Sequence, residues 1–295
     1  MSLAEAVRAE PARVPAAVAA PPARPGALSR LVRGELSLVF GRRRNRILML
    51  LLAAVPLLVG IAVKVSPPAG ADGPAFINRI TGNGLFLALT ALDVTIPIFL
   101  PLAVGIIAAD AIAGEAGVGT LRYLLVVPVR RGRLLVAKAA GISAYAVLAV
   151  LAIGVVSLIA GAALFGTTSF TLLGGQQVGL AQALLRIIAV MAYVILSLSG
   201  LLAVGLLIST LTEVPVAAMA STVGFVIVGQ VLDALPQLSA IHGAILTHWW
   251  SGFGDLLRVG PDYALLGEHL LVQVAYVALA GSLVWARFGN ADITS

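Results

Sequence analysis

The sequence predicts an all-α polytopic membrane protein, with six transmembrane helices plus an N-terminal interfacial amphipathic helix. Three observations carry that prediction. Of 295 residues, 60% are hydrophobic and only 11% charged, against roughly a quarter charged in an ordinary soluble domain. The mean hydropathy is +1.05. The apolar residues are gathered in six runs, each close to the roughly twenty residues a helix needs to cross ~30 Å of hydrocarbon.

The same composition excludes several chemistries. There is no cysteine, so no disulfide framework, thiol nucleophile or cysteine-ligated metal site is possible. The three histidines are His242, His248 and His269. None pairs at HxxxH spacing, and no metal site is expected. The net charge of +6 would suggest nucleic acid in a soluble protein. Here the placement of the charges decides, and no nucleic-acid partner is expected.

Residues 1–27 are rich in Ala, Pro and Arg and read as a disordered cytoplasmic tail. Pro11, Pro15, Pro21, Pro22 and Pro25 break any long helix there. No continuous apolar core lies between Arg13 and Arg24 to make a signal peptide. In 28–45 the pattern changes. Leu28, Leu31, Val32, Leu36, Val39 and Phe40 recur at helical spacing, and Arg42, Arg43, Arg44 and Arg46 follow. That suits a helix lying in the headgroup layer, with its arginines near anionic membrane lipid. The alternative is the basic flank of the first span.

Residues 46–288 form the six-span domain. The spans are predicted at 47–63, 86–109, 134–165, 184–209, 214–232 and 265–286. Pro97 and Pro101 are expected to kink the second. Orientation follows from the cations. With the N-terminus cytoplasmic, fifteen of the nineteen Lys and Arg residues fall inside. Only Lys64, Arg79, Arg186 and Arg258 fall on or near the other side. Both termini and the 110–133 segment are therefore placed in the cytoplasm. The external segment, 233–264, is long and still apolar. Its Trp249, Trp250 and Phe253 suit the membrane–water interface, either as short helices dipping into the outer leaflet or as a loop with aromatic anchors.

Stretch 110–138 stands out between two apolar runs. It holds Asp110 and Glu115, glycines at 114, 117 and 119, and five cations including Lys138. A segment this polar between spans lies in water or against another protein. The glycines permit a sharp turn as the second span leaves the membrane. Thr120 can cap a short helix through Leu121, Tyr123, Leu124 and Leu125, which Pro128 ends.

No phosphate-binding loop is present, since neither Lys64 nor Lys138 follows a glycine-rich run. The Ser197, Leu198, Ser199, Gly200 run sits within a span and reads as helix packing through small residues. No Ser/His/Asp motif or HExxH is recognisable, and no catalytic residue is expected in this chain.

The motif residues Asp110, Ala113-Gly114-Glu115, Gly119-Thr120-Leu121, Leu124-Leu125, Pro128-Val129, Arg131 and Lys138 resemble the characteristic segment of type-2 ATP-binding cassette (ABC) exporter permeases. There the pattern runs roughly D..AGE...GTL..LL..PV.R......K between the second and third spans. Ala116-Gly117-Val118 departs from it, since many relatives carry more charge there. Among those permeases the chain looks closest to the compact drug-export and copper-site-maturation members. The resemblance implies a plasma-membrane permease subunit that exports an apolar or amphipathic molecule. It implies an ABC ATPase partner that supplies ATP and Mg, and a second permease subunit, identical or related. This chain itself would hold no cofactor. Asp110, Glu115, Gly119, Thr120, Leu121, Arg122, Tyr123, Pro128 and Arg131 then read as ATPase-coupling residues within 110–133. Glu115 is expected either to meet a basic residue of the ATPase or to pair with Arg122 or Arg131 in its own chain. Asp93, with Thr95 nearby, reads as a substrate-path candidate or as a helix-to-helix hydrogen bond. Two other classes stay open: a non-transporting scaffold or sensor for an ATPase, and a secondary transporter.

Overall fold

The computed structural model describes residues 27–67, 76–117, 131–167, 170–172 and 175–290. Among these, six helical stretches are long and apolar enough to cross a membrane. Helix α1 is Ala27–Gly41 and α2 is Arg43–Val65. A short α3, Ile77–Ile80, leads into α4, Phe86–Thr95, and α5, Phe99–Gly117. Then come α6, Arg131–Phe165, α7, Leu180–Ser197, and α8, Ser199–Leu211. Helix α9 is Pro215–Asp233, α10 is Ser239–His242 and α11 is Tyr263–Asn290. The predicted all-α class holds. A two-residue antiparallel ladder, Phe170–Thr171 with Gln177–Val178, is a detail of the α6–α7 connection.

The second span differs from a simple kinked helix. It is two helices, α4 and α5, separated at Ile96, Pro97 and Ile98. The reason is covalent. Pro101 has no N–H, so the Pro97 carbonyl cannot find its partner one turn on. Gln230 of α9 fills the gap, its amide donating to Pro97 O at 3.1 Å. A broken backbone is tolerated at this depth because a neighbouring helix satisfies it.

Helix α5 is the centre of the bundle. Its spanning window is 72% buried, against 22% for α2 and 17% for α9. It packs on α8, α9, α6 and α2. Ser209 of α8 stitches the pair, its hydroxyl accepting from the Ile112 and Ala113 N–H groups at 2.9 Å each. The outer helices keep apolar faces open, such as Leu50 and Leu58 on α2 and Leu271 and Leu279 on α11. In lipid such faces cost little, so close packing and polar contacts hold the bundle together.

Close packing is sharpest where Gly84 meets Gly161. A Cβ on either would collide with the other's backbone. The Gly84 N–H donates to Gly166 O at 3.0 Å. Gly166 ends α6 with φ +73°, the left-handed conformation glycine adopts freely. These contacts define one end of the bundle. Phe86, Phe170, Phe76 and Phe253 stack across it, Phe86 and Phe170 at 4.4 Å between centroids. At the other end Gly117 meets Pro215, and Arg42 and Arg44 reach Asp110; this is the basic end.

The sequence reading ends the second span at 109 and turns the chain through Gly114, Gly117 and Gly119. In the structure α5 runs on to Gly117, with Gly114 inside the helix. Gly114 is needed for space: a Cβ there would strike the Asp110 carboxylate and press on Arg42.

Candidate functional site

Two buried ion-pair clusters lie at the basic end, and α5 contributes a carboxylate to each. Asp110 and Glu115 are five residues apart, about 140° round a helix, so they face different neighbours. Asp110 meets Arg42 and Arg44 at the α1–α2 junction, Arg44 Nη2 lying 2.7 Å from its Oδ2. Glu115 meets Lys138 of α6, with Nζ 2.7 Å from its Oε1. Lys138 also reaches Glu35 of α1, at 3.2 Å.

Burial makes these contacts matter. The Lys138 side chain is 1% exposed and those of Asp110 and Glu115 are 7% and 8%. A buried charge is tolerated when paired and hydrogen-bonded. Lys138 has two carboxylates for one ammonium. Burial pushes the Glu35 carboxyl above the ordinary carboxylate range, Lys138 pulls it back, and Glu115 pushes it further up. Asn45 braces the junction. Its amide donates to Val39 O at 2.8 Å, and Tyr145 OH donates to Asn45 O at 3.0 Å. Gly141 of α6 sits against Glu35 and Val39, which lets α1 lie close on α6.

The sequence reading puts Glu115 on an outward ledge, against a second protein or against Arg122 or Arg131. The structure turns it inward onto Lys138. Asp110 is likewise inside the bundle. Arg131 opens α6. Gly119, Thr120, Leu121, Arg122, Tyr123 and Pro128 lie outside the described residues. The partners Glu35, Arg42, Arg44 and Lys138 were not singled out as site residues. One signal was available: Glu35 is the sole acid among the residues of 28–46, and an acid on a basic interfacial helix needs a cation.

Of the substrate-path candidates, Thr95 is fully buried, and its hydroxyl donates to Ala91 O of its own helix at 2.8 Å. Thr90 does the same to Phe86 O at 3.1 Å. Such back-bonding satisfies a hydroxyl within a helix. Asp93 is half-buried near the end of α4 and takes part in an interaction there. Gly200 packs against Leu246, Gln273 and Tyr276, in keeping with the helix-packing reading of that run.

The opposite end holds a second polar group. The 3-10 helix His248–Leu257 dips between α7 and α11, with Trp250, Phe253 and Leu257 buried. Trp250 Nε1 donates to Ser197 O at 2.9 Å, where α7 gives way to α8. Tyr193 OH donates to Trp249 O at 2.7 Å and lies 2.9 Å from His269 Nδ1. The stretch is a short helix packed on the bundle, where the sequence left a short helix or an anchored loop open. The absence of a metal site was read from HxxxH spacing alone. Folding brings Asp233, His242 and His248 together, their ligand-capable atoms within 4.8 Å of one another.

Six apolar helices, a buried and charge-latched second span among them, define a multi-pass membrane protein. A family model described as ABC-2 family transporter protein matches residues 42–247. The chain belongs to that family, and is a permease component of an ABC transporter. Membership implies a partner ABC ATPase subunit. A search of curated proteins finds no match.

Proposed function

We propose that this chain is the membrane path of an ATP-driven exporter in the plasma membrane. Both termini and the basic end face the cytoplasm, by the bias of the cations. Two permease subunits, identical or related, form the path, and two ATPase subunits bind beneath. ATP and Mg reside in the ATPase, and this chain takes no part in the hydrolysis. The cargo is apolar or amphipathic, since few charges lie within the spans.

One observation carries the reading. Residues 118–130 are flanked by α5 and α6, and those helices are latched to each other and to α1 by Glu115, Lys138 and Glu35. A push on 118–130 therefore reaches the second span, the third span and the interfacial helix together. Asp110 adds the start of the first span through Arg42 and Arg44. Glu115 acts as a positioning residue inside the chain, and contact with the ATPase falls to residues of 118–130. Alternating access then follows from ATPase closure shifting the balance between two states of the bundle.

The test is reconstitution with the ATPase in vesicles. Substrate-stimulated ATP hydrolysis with outward transport is expected. Glu115→Gln should lower transport per ATP while the ATPase still copurifies. An ATPase that binds with no transported compound would favour the scaffold reading. Failure of any ATPase to copurify would overturn the proposal.

A further inference from the structure

We propose that Asp233, His242 and His248 form a binding site for a divalent first-row transition metal, with Zn(II) the best-fitting ion. Three segments converge there. Asp233 closes α9, His242 closes α10 and His248 opens the 3-10 helix. His248 Nδ1 lies 2.5 Å from Asp233 Oδ1, and His242 Nδ1 lies 3.9 Å from the same oxygen. All three residues are half-buried.

The donor set selects the metal. Two imidazoles and one carboxylate suit Zn(II) and its first-row neighbours, whereas Ca(II) and Mg(II) take shells of oxygen. Three protein ligands leave a position for water or an incoming ligand. Tetrahedral zinc sets its ligand atoms about 3.3 Å apart. The present spread, within 4.8 Å, needs a small adjustment in which the His248–Asp233 edge opens and the His242 arm closes in. A metal ion takes the place of the proton in the His248–Asp233 hydrogen bond.

The surroundings are built for it. His242 Nε2–H donates to Leu235 O at 3.1 Å. That bond fixes the tautomer with the lone pair on Nδ1, the atom nearer Asp233, and is the usual outer support of a metal-bound histidine. Trp249 Nε1 donates to Gly243 O at 3.0 Å, and its ring lies 4.6 Å from that of His248. Tyr276 OH donates to Ala244 O at 3.0 Å. Gln273 Nε2 donates to Leu246 O at 3.2 Å, so the backbone between the two histidines is pinned at both ends. A bound ion would brace the end of α9 to the dipping segment, and this inference stands apart from the transport reading.

The experiment uses the full chain in detergent, stripped of metal by chelation, with Zn(II) added and binding followed by calorimetry. Co(II) serves as a spectroscopic probe. One Zn(II) per chain is expected, with visible Co(II) bands and a thermal midpoint that rises with Zn(II). H242Q, H248Q and D233N should each weaken binding by about tenfold or more. Glu268→Gln, an exposed carboxylate on α11, should bind as the unaltered chain does. If H248Q fails to fold, H242Q carries the test, since it gives up one backbone hydrogen bond beyond the metal contact. No saturable uptake by the unaltered chain overturns the proposal, as does equal affinity in H242Q. Variants that lower the midpoint without any metal response would reduce the cluster to a hydrogen-bonded helix end, and overturn it equally.

Discussion

At the basic end Lys138 sits between two carboxylates, and Asp110 between two guanidinium groups. At the opposite end Trp250, Tyr193, Gln273 and Tyr276 each reach a backbone carbonyl with a neutral donor. The first end is held by full charges, of which the buried Lys138 pairs are costly to break. The second is held mostly by neutral donors, each modest, joined by the Arg186 guanidinium on the Leu256 and Arg258 carbonyls. Rigidity is thus concentrated where α1, α2, α5 and α6 meet, and spread thinly where the dipping segment enters.

Lys138→Met is the harshest way to break that contrast. It strands two buried carboxylates, and removing one partner of a buried pair costs about 3–5 kcal/mol. Thermal unfolding in detergent should show the largest fall of any variant named here. Restoring charge balance with Glu35→Gln in the same chain should recover part of it.

Trp250→Phe probes the other end. It keeps an aromatic ring, leaves the Ser197 carbonyl without the indole N–H and opens a small cavity. The loss should be about 2–3 kcal/mol, one hydrogen bond plus the lost packing. A loss as large as that of Lys138→Met would erase the difference between the ends.

Arg44→Gln should cost less, about 1 kcal/mol or below. Its side chain is 40% exposed and solvent screens the pair, while Arg42 still serves Asp110. Comparing midpoints at low and high salt checks this, since only an exposed pair should be salt-sensitive.

The gentlest probe is pH. Burial raises the Glu35 carboxyl above its ordinary range. The native state therefore holds that proton more tightly than the unfolded chain. Its contribution to stability is full below the ordinary value and is lost as pH rises through the raised one. Unfolding midpoints measured from the ordinary carboxylate range upward should carry that downward slope. Glu35→Gln should flatten it.

Much of the bundle was legible because hydropathy reports lipid burial directly. The runs at 47–63 and 214–232 became α2 and α9 with shifts of a few residues. Pro97 and Pro101 announced a disturbed second span, but not that Gln230 would complete its backbone. Asp110 and Glu115 stand out in the sequence as carboxylates beside apolar runs, and the structure buries both. Their polarity suggested water, and the cations that neutralise them lie 66 and 23 positions away in Arg44 and Lys138. Local spacing carries no record of such pairings. The same blindness hid Asp233, His242 and His248, which a folded-back segment brings together.

The gap at Ile96, Pro97 and Ile98 leaves the second span without an unbroken ladder, its two halves joined by one borrowed amide. A rod so divided acts as two levers on a shared pivot. A displacement of α5 need not carry α4 with it, and Gln230 is the neighbour that steadies the joint.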